Sequence, residues 1–200
     1  MKSYSQNGED LFVIDYFKGF KGTLLEIGAN DGETLSNSLL LIENGWKAHL
    51  VEPSSMFDRL VALHGDNPNV TLHNYAIGGL IPSEMTFYES EAHVPGGSDL
   101  ALVSTLDFEE TLRWRNAGVK FHERKVPVKP YDLKEQFDFI SIDAEGYDEI
   151  ILSQIDLSPT SCLCIEFNGM FDTKARIINY CATYGLKLVH VNNENLIFTR

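Results

Sequence analysis

Cysteine is scarce in this chain, and Cys162, Cys164 and Cys181 do not fall in a disulfide or zinc-binding spacing. Cys162 and Cys164 alternate within an apolar run that reads as a buried strand, and Cys181 lies in a helical pattern. All three read as small core hydrophobes. Basic residues are also few: 16 Lys and Arg against 29 Asp and Glu give a formal net charge of −13. That balance repels nucleic acid phosphates and anionic membrane surfaces, so neither partner is expected. No apolar run approaches the length of a bilayer span, and no basic stretch followed by an apolar one opens the sequence. A cytoplasmic location is therefore expected over export or insertion. Internal repeats, heptad runs and low-complexity segments are lacking, as is the GxGxxG turn that seats a pyrophosphate on a helix N-terminus. What remains is 200 residues, the size of one medium domain spanning 1–200.

From Thr23 onward, strand-like and helix-like segments alternate, the pattern of a Rossmann-like α/β fold with a mostly parallel sheet. Strands are expected at residues 23–27, 46–51, 70–76, 139–142 and 162–167. After the first strand, Leu35, Leu39 and Ile42 are spaced to form one apolar helix face. Ser55 and Asp58 read as a capping-box pair opening a helix that buries Met56, Leu60 and Leu63. Residues 85–88 are placed as a hairpin partner of 70–76 through Gly78-Gly79. Residues 91–131 form a long irregular insertion expected to cover a ligand and shape a substrate site. Within it, Asp107 and Glu110 mark a helix start, and Pro127 places residues 125–128 on a sheet edge. A helix over 173–184 then leads to strands at 186–191 and 196–199, a C-terminal antiparallel hairpin that completes seven strands.

The most informative stretch is Glu26-Ile27-Gly28-Ala29-Asn30-Asp31-Gly32, where an apolar strand ends in a glycine-rich turn. Such a turn lets backbone approach a ligand closely. Asp31 and Glu33 lie where phosphates would be repelled, so a cationic, phosphate-free nucleoside fits better. S-adenosyl-L-methionine carries a sulfonium and an ammonium, with which Glu26 or Asp31 can pair. Glu52, followed by Pro53, closes the second strand about twenty residues past the turn, the position from which ribose hydroxyls are bound. Ala76, at the end of the third strand, joins the candidate cofactor set.

Three segments together resemble the FkbM family of S-adenosylmethionine-dependent methyltransferases. They are residues 4–10, Tyr-Ser-Gln-Asn-Gly-Glu-Asp; the glycine loop at 26–32; and residues 138–146, Asp-Phe-Ile-Ser-Ile-Asp-Ala-Glu-Gly. The resemblance implies a class I methyltransferase fold and O-methylation of a hydroxyl on a sugar, glycan or polyketide-like product. It also implies that residues 1–20, through Gln6, fold over the methionine end of the cofactor. The family usually has a lysine where this chain has Ser141, and often a histidine where it has Asn168. Two rivals compete with it. A nicotinamide-dependent oxidoreductase is disfavoured by the missing pyrophosphate turn and the terminal hairpin. Against a non-catalytic binding or scaffolding protein stand the strand-end acids Asp143 and Glu145.

An aliphatic hydroxyl needs a base within hydrogen-bond reach as its bond to carbon forms. Asp143 and Glu145, after a strand end, are the candidates, with Asp143 also a cofactor contact and Glu145 alternatively a cap for the helix of 147–153. Asp143, Glu166 and Asn168 form an oxygen set able to hold Mg²⁺, or else a capped strand end. Arg113, Arg115, Lys120, Arg124, Lys125 and Lys129 gather around Trp114, Phe121 and His122, a set suited to an anionic acceptor or to a solvated face. His93 and His122 are further candidate bases.

Overall fold

The computed structural model describes residues 1–92 and 100–200; His93 lies outside them. The elements in chain order are α1 (Glu9–Phe17), β1 (Thr23–Ile27), α2 (Leu39–Glu43), β2 (Lys47–Val51), α3 (Phe57–His64), β3 (Val70–His73), β4 (Ala76–Ile77), β5 (Ser83–Ser90), α4 (Phe108–Asn116), β6 (Phe121–Lys129), β7 (Phe139–Ile142), α5 (Asp148–Leu152), β8 (Cys162–Glu166), α6 (Phe171–Thr183), β9 (Lys187–Val191) and β10 (Asn195–Thr199). Seven strands form one sheet in the order β3-β2-β1-β7-β8-β10-β9. β10 runs antiparallel to both neighbours, and the other pairings are parallel. This is the mixed α/β, Rossmann-like architecture with a C-terminal antiparallel hairpin that the alternating pattern predicts. None of the described helices is long and apolar enough to cross a membrane.

The central strands β1, β7 and β8 are mostly apolar, broken by Thr23, Glu26, Ser141 and Glu166, because both faces are covered. Successive side chains point to opposite faces, so Leu24 of β1 and Cys162 and Cys164 of β8 join one core with Val13 of α1, Leu41 of α2 and Leu60 of α3. Leu25, Leu163 and Ile165 join the other core with Ile151 of α5 and Ile177 and Cys181 of α6. All three cysteines are buried free thiols, as their apolar surroundings require.

Several local expectations give way to tertiary contacts. Leu35 sits in a left-handed turn at φ 57° and is 42% exposed, so α2 starts at Leu39 and lacks the Leu35 end of the expected face. Leu63 is exposed, and Ser55 does not cap α3: its backbone N–H and hydroxyl both donate to Glu89, on β5. β3 ends at His73, and β4 belongs to a separate three-stranded sheet in the order β4-β6-β5. The expected hairpin across Gly78-Gly79 is thus replaced by β6 lying between β4 and β5. Pro127 is tolerated on that central strand because β4 meets β6 only at Val128 and Lys129. Asp107 caps α4 as predicted, accepting from the Glu109 N–H at 2.9 Å. In α1 the buried face is Glu9, Asp10 and Val13. Leu11, Ile14 and Phe17 are only partly covered, with Leu11 36% exposed.

Candidate active site at the carboxyl edge of the sheet

The strand registers bring four chain segments into one line. Ile27 pairs with Val51 on one side and Ile142 on the other, and Ile142 pairs with Ile165. Gly28, Glu52, Asp143 and Glu166, which come next in each segment, therefore emerge side by side. At β1 the strand order turns, with β2 and β3 to one side and β7 and β8 to the other. Open α/β sheets form their ligand crevice at such a switch point. A cavity of about 350 Å³ lies there, within the range of small-molecule sites.

Gly28, at φ 88°, has no room for a side chain, since a Cβ would stand 1.8 Å from the carbonyl oxygen of Asp143. The backbone can turn here only because glycine permits both the angle and the approach. Past it, the Asn30 N–H donates to Glu52 Oε2 at 2.7 Å and the Ser54 N–H to Oε1 at 2.6 Å. Burial pushes the Glu52 carboxyl above its usual range, opposed by those hydrogen bonds. Each oxygen keeps acceptor capacity for a ligand hydroxyl.

Of the predicted cofactor residues, Gln6, Gly28, Asn30, Glu52, Pro53, Ala76 and Asp143 line the cavity. Glu26, Ala29, Asp31 and Gly32 do not, and each is engaged in building the loop. Glu26 accepts from the Asn37 N–H at 2.9 Å and from the Ser38 hydroxyl; its withdrawal from water outweighs these bonds and pushes it up to about 7. Asp31 accepts from the N–H groups of Glu33 and Thr34 and the Thr34 hydroxyl, which hold its carboxyl below its usual range against partial burial. Ala29 packs in the core, and Gly32 faces Leu60 and His64.

The N-terminal motif reaches the cavity through two acids whose role is not evident in the sequence. Asp10 accepts from the hydroxyls of Ser3 and Ser5 and from the Tyr4 N–H. Glu9 accepts from the Asn7 N–H and from the side chains of Asn192, just after β9, and Asn195, on β10. Residues 3–7 are thereby tied down, and Gln6 lines the cavity. The N-cap of α1 is Gly8, without a side-chain cap.

After β7 the chain turns through Glu145 at φ 47° and Gly146 at φ 94°. Asp148 shapes this turn by accepting from the N–H groups of Ala144 at 2.9 Å and Gly146 at 3.0 Å. Glu145 does not cap α5, whose N-cap, Tyr147, makes no side-chain cap bond; Asp148, the first residue of the helix, holds the turn before it instead. An acid in the first turn of the following helix is the sequence signal for it. The Thr105 hydroxyl donates to the Glu145 carbonyl at 2.7 Å, fixing the turn against the chain leading into α4. Asp143 and Glu145 both line the cavity, as do Glu166 and Asn168. Burial first, then the neighbouring Asp148 and Glu26, pushes the Asp143 carboxyl up to about 8. Burial and the surrounding carboxylates also raise Glu145 and Glu166 well above their usual range, with Arg113 opposing. Asn168 donates to Glu166 Oε2 at 3.0 Å and accepts from Arg113 Nη2 at 3.0 Å.

The basic cluster of the insertion does not converge. Arg113 and Trp114 line the cavity. Arg115 lies over the rings of Phe108 and Phe121, Arg124 pairs with Glu89 at 2.8 Å, Lys125 donates to Thr86, and Lys129 stands over Tyr75. His122 pairs with Glu91 at 2.7 Å, away from the cavity.

Comparison with solved structures reveals the same fold at low identity. The Pyrococcus horikoshii protein PH1948 superposes with a TM-score of 0.51 at 10% identity, over 96% of this chain and 83% of that one. The Burkholderia thailandensis 1,6-didemethyltoxoflavin-N1-methyltransferase, solved with its substrate and S-adenosylhomocysteine, gives 0.51 at 10% identity over 96% and 76%. The METTL16 methyltransferase domain gives 0.50 at 14% identity over 95% and 65%. No curated protein matches the chain. The model of the methyltransferase FkbM domain, however, matches residues 26–181, from the glycine loop through the strand-end acids to α6. By that match, over more than half of its length, the chain belongs to the FkbM methyltransferase family.

Proposed function

We propose that the chain is an S-adenosyl-L-methionine-dependent O-methyltransferase acting on a hydroxyl of a sugar, glycan or polyketide-like molecule. The observation that carries this reading is the charge of the cavity wall. Glu52, Asp143, Glu145 and Glu166 line it, and Arg113 is the only Lys or Arg among its described lining residues. Such a wall favours a cationic nucleoside and opposes a pyrophosphate. The residues fit the cofactor in two further respects: Gly28 leaves the backbone bare at the turn, and Glu52 is held by two N–H groups with lone pairs to spare. When bound, S-adenosyl-L-methionine supplies an electrophilic methyl group.

The chain's own residues have three tasks. Glu52 and the Asn30 loop hold the nucleoside, with Gln6 placed at the methionine end. Residues 101–104 and Leu106, Arg113 and Trp114 of the insertion wall the cavity and exclude water from the acceptor side. Asp143 accepts the hydroxyl proton as the new bond forms, with Glu145 beside it. A chain of net charge −13 suits a small or carbohydrate acceptor better than a nucleic acid.

The test is to incubate the protein with methyl-labelled S-adenosylmethionine and a panel of sugars, glycans and polyketide alcohols, then locate the label by mass spectrometry and NMR. Label on oxygen, lost in Asp143→Asn, is expected. Label found only on nitrogen or on RNA would replace the O-methylation reading.

A further inference from the structure

Three carboxylates converge at one corner of the cavity. One oxygen from each of Asp143, Glu145 and Glu166 lies within 4.8 Å of the other two, and Asp143 is the most accessible of the three. Oxygens on opposite sides of a cation bound at about 2.4 Å are separated by about that distance. Like charges at this spacing repel, and the protein supplies only part of a counter-charge. Arg113 Nη2 stands 3.8 Å from Glu145 Oε2 but donates to Asn168, while its Nε pairs with Glu110 at 2.9 Å.

A second observation points to a ligand. Glu145 is 7% exposed, and its Oε2 is withdrawn from solvent without accepting any hydrogen bond among the described residues. A buried carboxylate oxygen is costly to leave in that condition. It belongs to a residue that lines the cavity, so something entering the cavity can complete it.

We propose that Asp143, Glu145 and Glu166 form a binding site for a divalent, oxygen-seeking cation such as Mg²⁺ or Ca²⁺. An all-carboxylate set selects hard cations over zinc, and the three thiols of the chain are buried within β8 and α6. Asn168 orients Glu166 through its hydrogen bond, and Asp148 fixes the turn that carries Glu145. A divalent ion would offset most of the charge of the three carboxylates, which Arg113, already paired with Glu110, does not balance. Three ligands leave coordination positions for water or for paired acceptor oxygens such as those of a vicinal diol. This last step rests on the methyltransferase reading; the cation site itself does not.

Mn²⁺ is the probe, because its free aqueous form is read directly by electron paramagnetic resonance. The full chain is titrated with Mn²⁺ in the absence of cofactor, as wild type, E166Q and E145Q, with thermal unfolding confirming the fold of each variant. S-adenosylhomocysteine binding to the wild type is measured separately by calorimetry. A single Mn²⁺ displaced by Mg²⁺, with affinity reduced about tenfold or more in each folded variant, is expected. If E166Q fails to fold, E145Q alone decides. No Mn²⁺ uptake at millimolar concentration in a protein that binds S-adenosylhomocysteine overturns the cation site and leaves the methyltransferase reading standing. Uptake unchanged in the variants overturns it as well, because the ion then sits elsewhere. Variant-sensitive uptake without S-adenosylhomocysteine binding upholds the cation site and removes the cofactor reading.

Discussion

At Gly28 two demands coincide: a left-handed backbone and a carbonyl oxygen where a Cβ would be. The obstacle is backbone of the adjacent strand end, so it cannot rotate away. Gly28→Ala is expected to cost about 2–4 kcal/mol and to abolish S-adenosylhomocysteine binding. Gly118 has a similar φ of 95° but nothing within 4 Å, so Gly118→Ala should cost only about 1 kcal/mol. Urea midpoints of the two variants measure the difference; equal losses would mean that the close approach contributes nothing. Residues such as Gly28 and Glu52 are legible in sequence because their chemistry and spacing follow the strand ends. Leu35, Leu63 and Ser55 are not, because their surroundings come from distant chain. Ser55 finds Glu89 on another sheet, and no local pattern contains that partner.

Among the elements, the turn between β7 and α5 most directly links fold to chemistry. Asp148 holds it through two N–H groups, and Asp143 and Glu145 take their positions from it. Asp148→Ala is expected to lower stability by about 1–2 kcal/mol, the scale of the two turn hydrogen bonds it removes. Its larger effect should be on methyl transfer at saturating cofactor, since the carboxylates lose their frame. A variant with unchanged turnover would separate the turn from the chemistry. The central strands of the large sheet are legible because burial on both faces leaves largely apolar runs of strand length. The small sheet is not, for its order depends on β6 returning between β4 and β5 from more than thirty residues away, a pairing that alternation within β5 or β6 does not specify. The hairpin of β9 and β10 is short-range, so two neighbouring strand-like runs are enough to announce it.

For the whole molecule, buried acids tie stability to pH. Glu26 goes from 4.5 when exposed to about 7 in the fold, so the folded state binds its proton more tightly. Its contribution is fully present below about pH 4.5 and is lost as pH rises through about 7, amounting to about 3 kcal/mol. Glu52 shifts in the same direction. Urea stability should therefore be greater at pH 5 than at pH 8, with a shallower slope in Glu26→Gln. A wild-type profile rising from pH 5 to pH 8 would contradict this assignment. Part of the protein's acidity thus lies buried near the strand ends, in Glu52, Glu145 and Glu166 among others, and not on its surface.

The measurement that bears most directly on the account is calorimetric titration of the purified protein with S-adenosylmethionine and S-adenosylhomocysteine, with NAD as control, in wild type and Glu52→Ala. Micromolar binding of the first two, lost in the variant, is predicted. No binding, or binding of NAD alone, would contradict the assignment of the cavity as a methyl-donor site.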